Sequence, residues 1–330
     1  MTDTRMKTTY SLWALFKNCR KKCEIRYLLE YVSPDKNDNF TYGTLIHNCL
    51  EHWYKTDERN FDAELTEAEL KIDQEIKSIA MMDEYLNVYP TEDFKVIEVE
   101  YEFEDDIINP ETGHKSRSFK LGGKVDGIVQ KPDGTYWILE HKTASTIDAG
   151  YISKLWTDFQ ILLYAYSVER TLDIKIEGII YNILGKCGLK MGKGESEAEY
   201  QTRYDVLVAK SKSGKSSAKR KMSETEDMFF DRCTEWYQDK SNQVFHREEI
   251  LLDRNRIKEL QIELWDLTKS FLEAQKRGVF YKNNTFCTQF NSLCEYYQYC
   301  SSGENPMILE NFFIKKEAHE ELTTEKEKVF

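Results

Sequence analysis

Two runs of period-two alternation joined by a tight-turn tetrapeptide constrain this chain more than anything else in it. SFKLGGKVDGIVQ (118–130) and TYWILEHKT (135–143) each read as a strand, and Lys131-Pro132-Asp133-Gly134 between them puts proline and glycine where a reversal wants them. If the turn centres on Asp133, Asp126 lies opposite Glu140 and both carboxylates share a face. Lys142, two residues on, projects to the same side. Like charges directly opposed in a sheet repel, and the apolar neighbours Val125, Ile128, Trp137, Ile138 and Leu139 add to the penalty. A divalent cation between the carboxylates removes the conflict. Hard oxygen ligands suit Mg²⁺ or Mn²⁺, and a nearby ammonium can orient or help deprotonate an attacking water while the ion polarises a phosphate. The expected chemistry is metal-assisted phosphodiester hydrolysis; the bland alternative is a solvated strand edge with a salt bridge.

The surrounding pattern is α/β. FKVIEVEYEFED (94–105) alternates as a half-exposed strand, and IEGIIYNIL (176–184) reads as a buried one. Ser11–Tyr31, Gly43–Tyr54 and Tyr151–Arg170 carry apolar residues at helical spacing, and Asp62–Asn87 reads as one or two acidic surface helices. The expected organisation is a helical region over 1–90, a core over 91–205, a basic flexible loop over 206–223, helices and a strand over 224–285, and a cysteine segment with a charged, helix-patterned tail over 286–330. In the loop, Lys210, Lys212, Lys215, Lys219, Arg220 and Lys221 stand among serines, a composition too polar to bury. A helix at Ser223–Gln238, a strand at VFHREEILL and a long helix at Arg254–Arg277 follow.

With 330 residues, 40% hydrophobic, 32% charged, 15 glycines and 5 prolines, the chain is a globular protein, not a collagen-like or disordered one. No apolar run approaches the roughly 18 residues of a membrane span, and the start MTDTRMKTTYSLW lacks a signal-like apolar core, so a cytoplasmic protein is expected, in the host cytoplasm if viral. A net charge of −12 argues against general adhesion to nucleic acid and leaves room for a local basic channel. Ser213-Gly214-Lys215-Ser216 lacks the glycine five residues earlier that a phosphate-binding loop needs, which excludes an ATPase reading.

Gly123-Lys124-Val125-Asp126 followed by Leu139-Glu140-His141-Lys142-Thr143 resembles the motif of the PD-(D/E)XK nuclease superfamily. Gly43-Thr44-Leu45-Ile46-His47 resembles the G-x-x-x-H helix of its RecB-like branch, and Gln160-x-x-x-Tyr164 resembles that branch's Q-x-x-x-Y helix. The order of these motifs along the chain is the family's. The resemblance implies a restriction-endonuclease-like core, a central mixed sheet flanked by helices. It implies metal ligation by His47, Asp126, Glu140 and the His141 carbonyl. It also implies a catalytic Lys142, with Gln160 and Tyr164, one turn apart, contacting the lysine or DNA.

Cys287, Cys294 and Cys300 cluster near the C-terminus, and Cys19 or Cys23 lies in the first helix. Four thiolates can hold a [4Fe-4S] cluster or zinc. The resemblance extends to members of this branch with one cysteine before the core and three after it. It favours Cys19 over Cys23, and the C-x6-C-x5-C spacing is similar to that of phage-type members. Cys49, Cys187 and Cys233 read as core thiols. The implied protein is a DNA exonuclease acting on ends, expectedly single-stranded, in phage or prokaryotic recombination, repair or processing. Any unwinding would come from a recombination or helicase partner. The rivals are a CRISPR-associated adaptation nuclease that trims DNA and a non-catalytic DNA-binding subunit that keeps the fold.

Overall fold

The computed structural model describes residues 3–34, 38–68, 70–289, 292–319 and 322, with residues 38–40 and 289 described in backbone only. In chain order the strands are β1 (Met6–Thr8), β2 (Tyr31–Val32), β3 (Lys95–Ile108), β4 (Lys115–Gln130), β5 (Tyr136–Ala144), β6 (Ile176–Gly185), β7 (Phe245–Leu251), β8 (Thr288–Gln289), β9 (Ser292–Leu293) and β10 (Ile314–Lys315). The helices are α1 (Tyr10–Asn18), α2 (Arg20–Tyr27), α3 (Asp38–Thr56), α4 (Asp62–Ala68), α5 (Ile72–Val88), α6 (Ala149–Leu155), α7 (Phe159–Leu172), α8 (Glu197–Lys210), α9 (Glu226–Gln238), α10 (Arg254–Arg277), α11 (Tyr297–Ser301) and α12 (Pro306–Phe312).

The central sheet is mixed. β3, β4 and β5 form an antiparallel meander, β6 returns parallel to β5, and β7 closes antiparallel to β6. The hairpin has the register that its turn residues prescribe: Gly127 faces Leu139, Ile128 faces Ile138, and Gly134 closes the turn at φ 86, where a Cβ would be strained. β6 shows why its apolar run is continuous. Ile179, Tyr181 and Ile183 pack under α7 and α10, whereas Ile180 and Leu184 face the opposite layer, so both sides of the strand are covered. Helices α1, α7 and α10 cover one face of the sheet; α3, α5 and α9 pack on the other.

Several elements depart from the sequence expectation. The single helix over Ser11–Tyr31 is two, α1 and α2, because Cys19 between them is extended at φ −155. The break changes the buried face: α1 buries Leu12, Trp13 and Phe16, and α2 buries Cys23, Ile25 and Tyr27. Tyr151–Arg170 is likewise interrupted at Trp156–Asp158, where the Asp158 side chain accepts from Gln160 N and caps α7. α5 is not a surface helix: Ile76, Ala80, Met81, Met82, Tyr85 and Leu86 are all buried. Residues 206–210 of the expected basic loop complete α8, and the following stretch folds back on that helix. Arg203 and the Lys221 N–H both bond Glu195, and Tyr200 OH donates to Ala218 O. Ile314–Lys315, expected in a helical tail, instead pairs antiparallel with Tyr31–Val32; the parts of that tail expectation over 320–321 and 323–330 lie outside the described residues.

Candidate active site at the edge of the sheet

β4 is long enough to share one of its edges between two partners. β1 pairs in parallel with Phe119–Leu121, and β5 pairs with Gly127–Gln130. Among the described residues no strand pairs with the intervening stretch on that edge, its other edge being paired with β3, and the site opens there. The β4–β5 ladder ends at Gly127–Leu139, one pair short of Asp126 and Glu140, so the two carboxylates splay instead of meeting face to face as the hairpin alone predicts. Asp126 turns toward α3: its Oδ2 accepts from the His141 N–H at 2.7 Å, and its Oδ1 lies 3.2 Å from His47 Nδ1. Glu140, 2% exposed, faces α7 and receives the Lys142 ammonium at 2.5 Å. Lys142 also donates to Gln160 Oε1 at 3.0 Å, and Gln160 Nε2 donates to the Tyr164 hydroxyl at 3.0 Å.

A residue that the sequence did not single out completes the group. Glu100 on β3 stands opposite Asp126, between the pairs Val99–Gly127 and Tyr101–Val125. Its φ of 54 is uncommon for a side chain with a Cβ and is a local strain of the kind found at functional positions. Lys124 holds its carboxylate at 2.5 Å. Ligand atoms of His47, Glu100 and Asp126 lie within 4.8 Å of one another, close enough to hold one cation. Nothing in the run Glu98, Glu100, Glu102, Glu104 distinguishes one acid from the next; the backbone kink does.

Electrostatics show how far these groups are from ordinary solvation. Burial would raise the Asp126 carboxyl, but His47 and the His141 N–H outweigh it and hold Asp126 below the usual carboxylate range. Glu140 goes the other way: burial dominates, with Asp126 adding to it and Lys142 opposing. Burial, reinforced by Asp126 against the pull of Lys124, pushes Glu100 up to about 7. Lys142 is desolvated too, yet Glu140 keeps its pKa above the ordinary value, so it remains an ammonium. Glu140 Oε2 is buried without a hydrogen-bond partner, the state of an acceptor that a cation would satisfy. The residues therefore fit a divalent metal.

His141 shows why its ring is not part of this group. It lies on the α3 side, buried, with Asn182 Nδ2 at 3.0 Å from Nδ1 and the Tyr54 ring stacked at 5.6 Å, and burial drops its pKa to about 3. Asn182 continues to the Tyr85 hydroxyl, which Arg247 also contacts while forming a two-pronged ion pair with Glu92. Of the eight cysteines, Cys23 is fully buried with its thiol toward Leu12 O, whereas Cys19, Cys287, Cys294 and Cys300 are all partly exposed. Asn283 donates to Asn18 O and the Lys21 N–H to Tyr281 O, so the C-terminal segment docks beside Cys19. Cys294 N donates to Cys287 O.

Strand-borne acids and a lysine, held where an α/β sheet opens between helical layers, define a metal-dependent hydrolytic class of site. The chain belongs to the PD-(D/E)XK nuclease superfamily, whose model matches residues 8–301. No curated protein matches it. Among solved structures it is similar to a presumptive exonuclease from Eubacterium rectale, at 13% identity and a TM-score of 0.42 over 96% of this chain and 92% of that one. It is also similar to the protein SSO0001, at 14% identity and a TM-score of 0.28 over 77% of this chain and 84% of that one. The protein is thus a nuclease of this superfamily, and no described helix is long and apolar enough to cross a membrane.

Proposed function

We propose that the chain is a metal-dependent DNA exonuclease that hydrolyses phosphodiester bonds from single-stranded ends, in phage or prokaryotic DNA processing. The observation that carries the reading is the Lys142 ammonium, bridged between Glu140 and Gln160 beside the convergent ligand atoms of His47, Glu100 and Asp126. His47, Asp126, Glu140 and the His141 carbonyl would hold Mg²⁺ or Mn²⁺, with Glu100 as an additional ligand. Such an ion would polarise the phosphate and make a coordinated water more acidic. Lys142 is charged in this setting, so it orients the water and neutralises phosphate charge instead of accepting a proton. Gln160 fixes the ammonium, and Tyr164 fixes Gln160.

End-labelled linear and circular single-stranded DNA, incubated with Mn²⁺ or Mg²⁺, tests this directly. The native protein is expected to degrade the linear form and leave the circle, and Lys142→Ala to lose at least about a hundredfold in rate. Cutting of the circle would make the protein an endonuclease. No cutting by the native protein would favour the DNA-binding subunit.

Cys19, Cys287, Cys294 and Cys300 hold a [4Fe-4S] cluster in this reading. The docking of the C-terminal segment beside Cys19 supports this reading. Protein purified without air is expected to absorb near about 400 nm, a band that zinc does not give.

A further inference from the structure

A second site adjoins the first. A cleft of about 350 Å³ is lined by Tyr42, Gln74, Lys77, Ser145, Lys186 and Trp236, and its charged lining side chains are both lysines in a chain of net charge −12. Lys77 forms an ion pair with Asp73 at 3.6 Å, longer than a hydrogen bond, and lies 5.8 Å over the Phe229 ring, so its ammonium keeps N–H groups that a phosphate can take. Lys186 sits 5.3 Å over the Tyr42 ring, and burial lowers its pKa. Gln74 Oε1 is shielded from solvent and has no hydrogen-bond partner, which leaves an acceptor that a base N–H can fill.

The cleft lies in line with the hydrolytic site along two elements. The Lys186 N–H donates to Ala144 O at 2.7 Å, so the cleft begins where β5 and β6 end. Ser145 is three residues past Lys142, about 10 Å of strand. On α3, Tyr42 lies in the cleft and His47 in the site, and a Cβ on Gly43 between them would meet Thr143 Oγ1 at 3.5 Å, so helix and strand run together past both. About 10 Å corresponds to roughly three nucleotides at duplex rise, and fewer on an extended strand.

We propose that this cleft is a substrate-strand subsite: Lys77 and Lys186 bind a DNA backbone phosphate one to three nucleotides from the scissile bond, and Trp236 takes the adjoining base. The subsite rests on the nuclease reading of the neighbouring site. It gives the protein a hold on the strand that is separate from the metal, so substrate is retained while the ion exchanges. The phosphate is either an internal diester or the terminal group of a DNA end, and the same two ammonium groups serve both.

The test reads binding in the Lys142→Ala protein, where cleavage does not interfere. Fluorescence anisotropy of a labelled single-stranded oligonucleotide is titrated over salt in Mn²⁺, with and without Lys77→Ala plus Lys186→Ala. Loss of this phosphate contact is expected to weaken binding about tenfold and to flatten the log K against log salt slope by about 0.7. Lys77→Arg plus Lys186→Arg is expected to restore the slope. A flattening confined to 5′- or 3′-phosphorylated oligonucleotides assigns the phosphate to an end, and an equal flattening without terminal phosphate assigns an internal diester; both support the subsite. An unchanged slope, whether affinity falls or not, overturns it, as does the absence of binding. If the native protein cuts DNA and the slope does not move, the subsite alone fails; if the slope flattens and nothing is cut, the nuclease reading fails instead.

Discussion

Glu100 stands at φ 54 opposite Asp126, with a carboxyl pushed up to about 7 by burial and by that neighbour. Its ordinary value is 4.5, so the metal-free fold favours the protonated form, and stability is lost as pH rises from there through about 7. A cation needs the ionised form. Mn²⁺ affinity measured by calorimetry is therefore expected to rise between about pH 6 and about pH 8, with proton release, and Glu100→Gln is expected to weaken binding at least about tenfold and flatten this dependence. Equal affinity of the native protein at the two pH values would contradict the assignment. That Asp126, Glu140 and Lys142 lie together at the open end of the hairpin was legible from strand alternation and the turn centre, but their splay toward α3 and α7 was not. Glu100 was not, because its selection depends on a backbone kink that period-two patterning cannot encode.

At the scale of elements, the opening in the sheet depends on how closely α7 approaches β4. A Cβ on Gly123 would lie 2.5 Å from Phe103 Cζ and 3.1 Å from Tyr164 Cε1, and Phe103 is itself buried. Gly123→Ala is expected to cost about 1–3 kcal/mol through overpacking, seen as a lower Tm, and to cut cleavage by displacing Tyr164 and with it Gln160. An unchanged Tm with unchanged activity would mean that the ring has room to move. The strands β5 and β6 and the helix α10 were readable from pattern alone. The interruptions at Cys19 and Trp156–Asp158 were not: helical spacing persists across both, and the breaks arise because each flanking helix buries a different face. β1, only three residues long, carries too little pattern to be seen without its partner β4.

Across the whole molecule, the beginning and the end of the described chain are tied together. β10 pairs with β2, the Tyr296 hydroxyl donates to Tyr31 O at 2.6 Å, and Ile25 shares a buried cluster with Tyr296, Tyr299 and Leu309. Cys19→Ser and Cys300→Ser are each expected to abolish any absorbance near about 400 nm and to open the C-terminal segment to limited proteolysis, whereas Cys23→Ser keeps the absorbance. Loss of the band in Cys23→Ser but not in Cys19→Ser would reverse that choice. The contact between Asn18 and Asn283 also spans 265 positions in sequence. At roughly 5–20 residues per second of synthesis, the C-terminal segment that docks on α1 and α2 emerges about 10–50 s after them. Until then the faces of α1 and α2 that this segment covers stay open, and during translation they are a surface that a chaperone would have to shield.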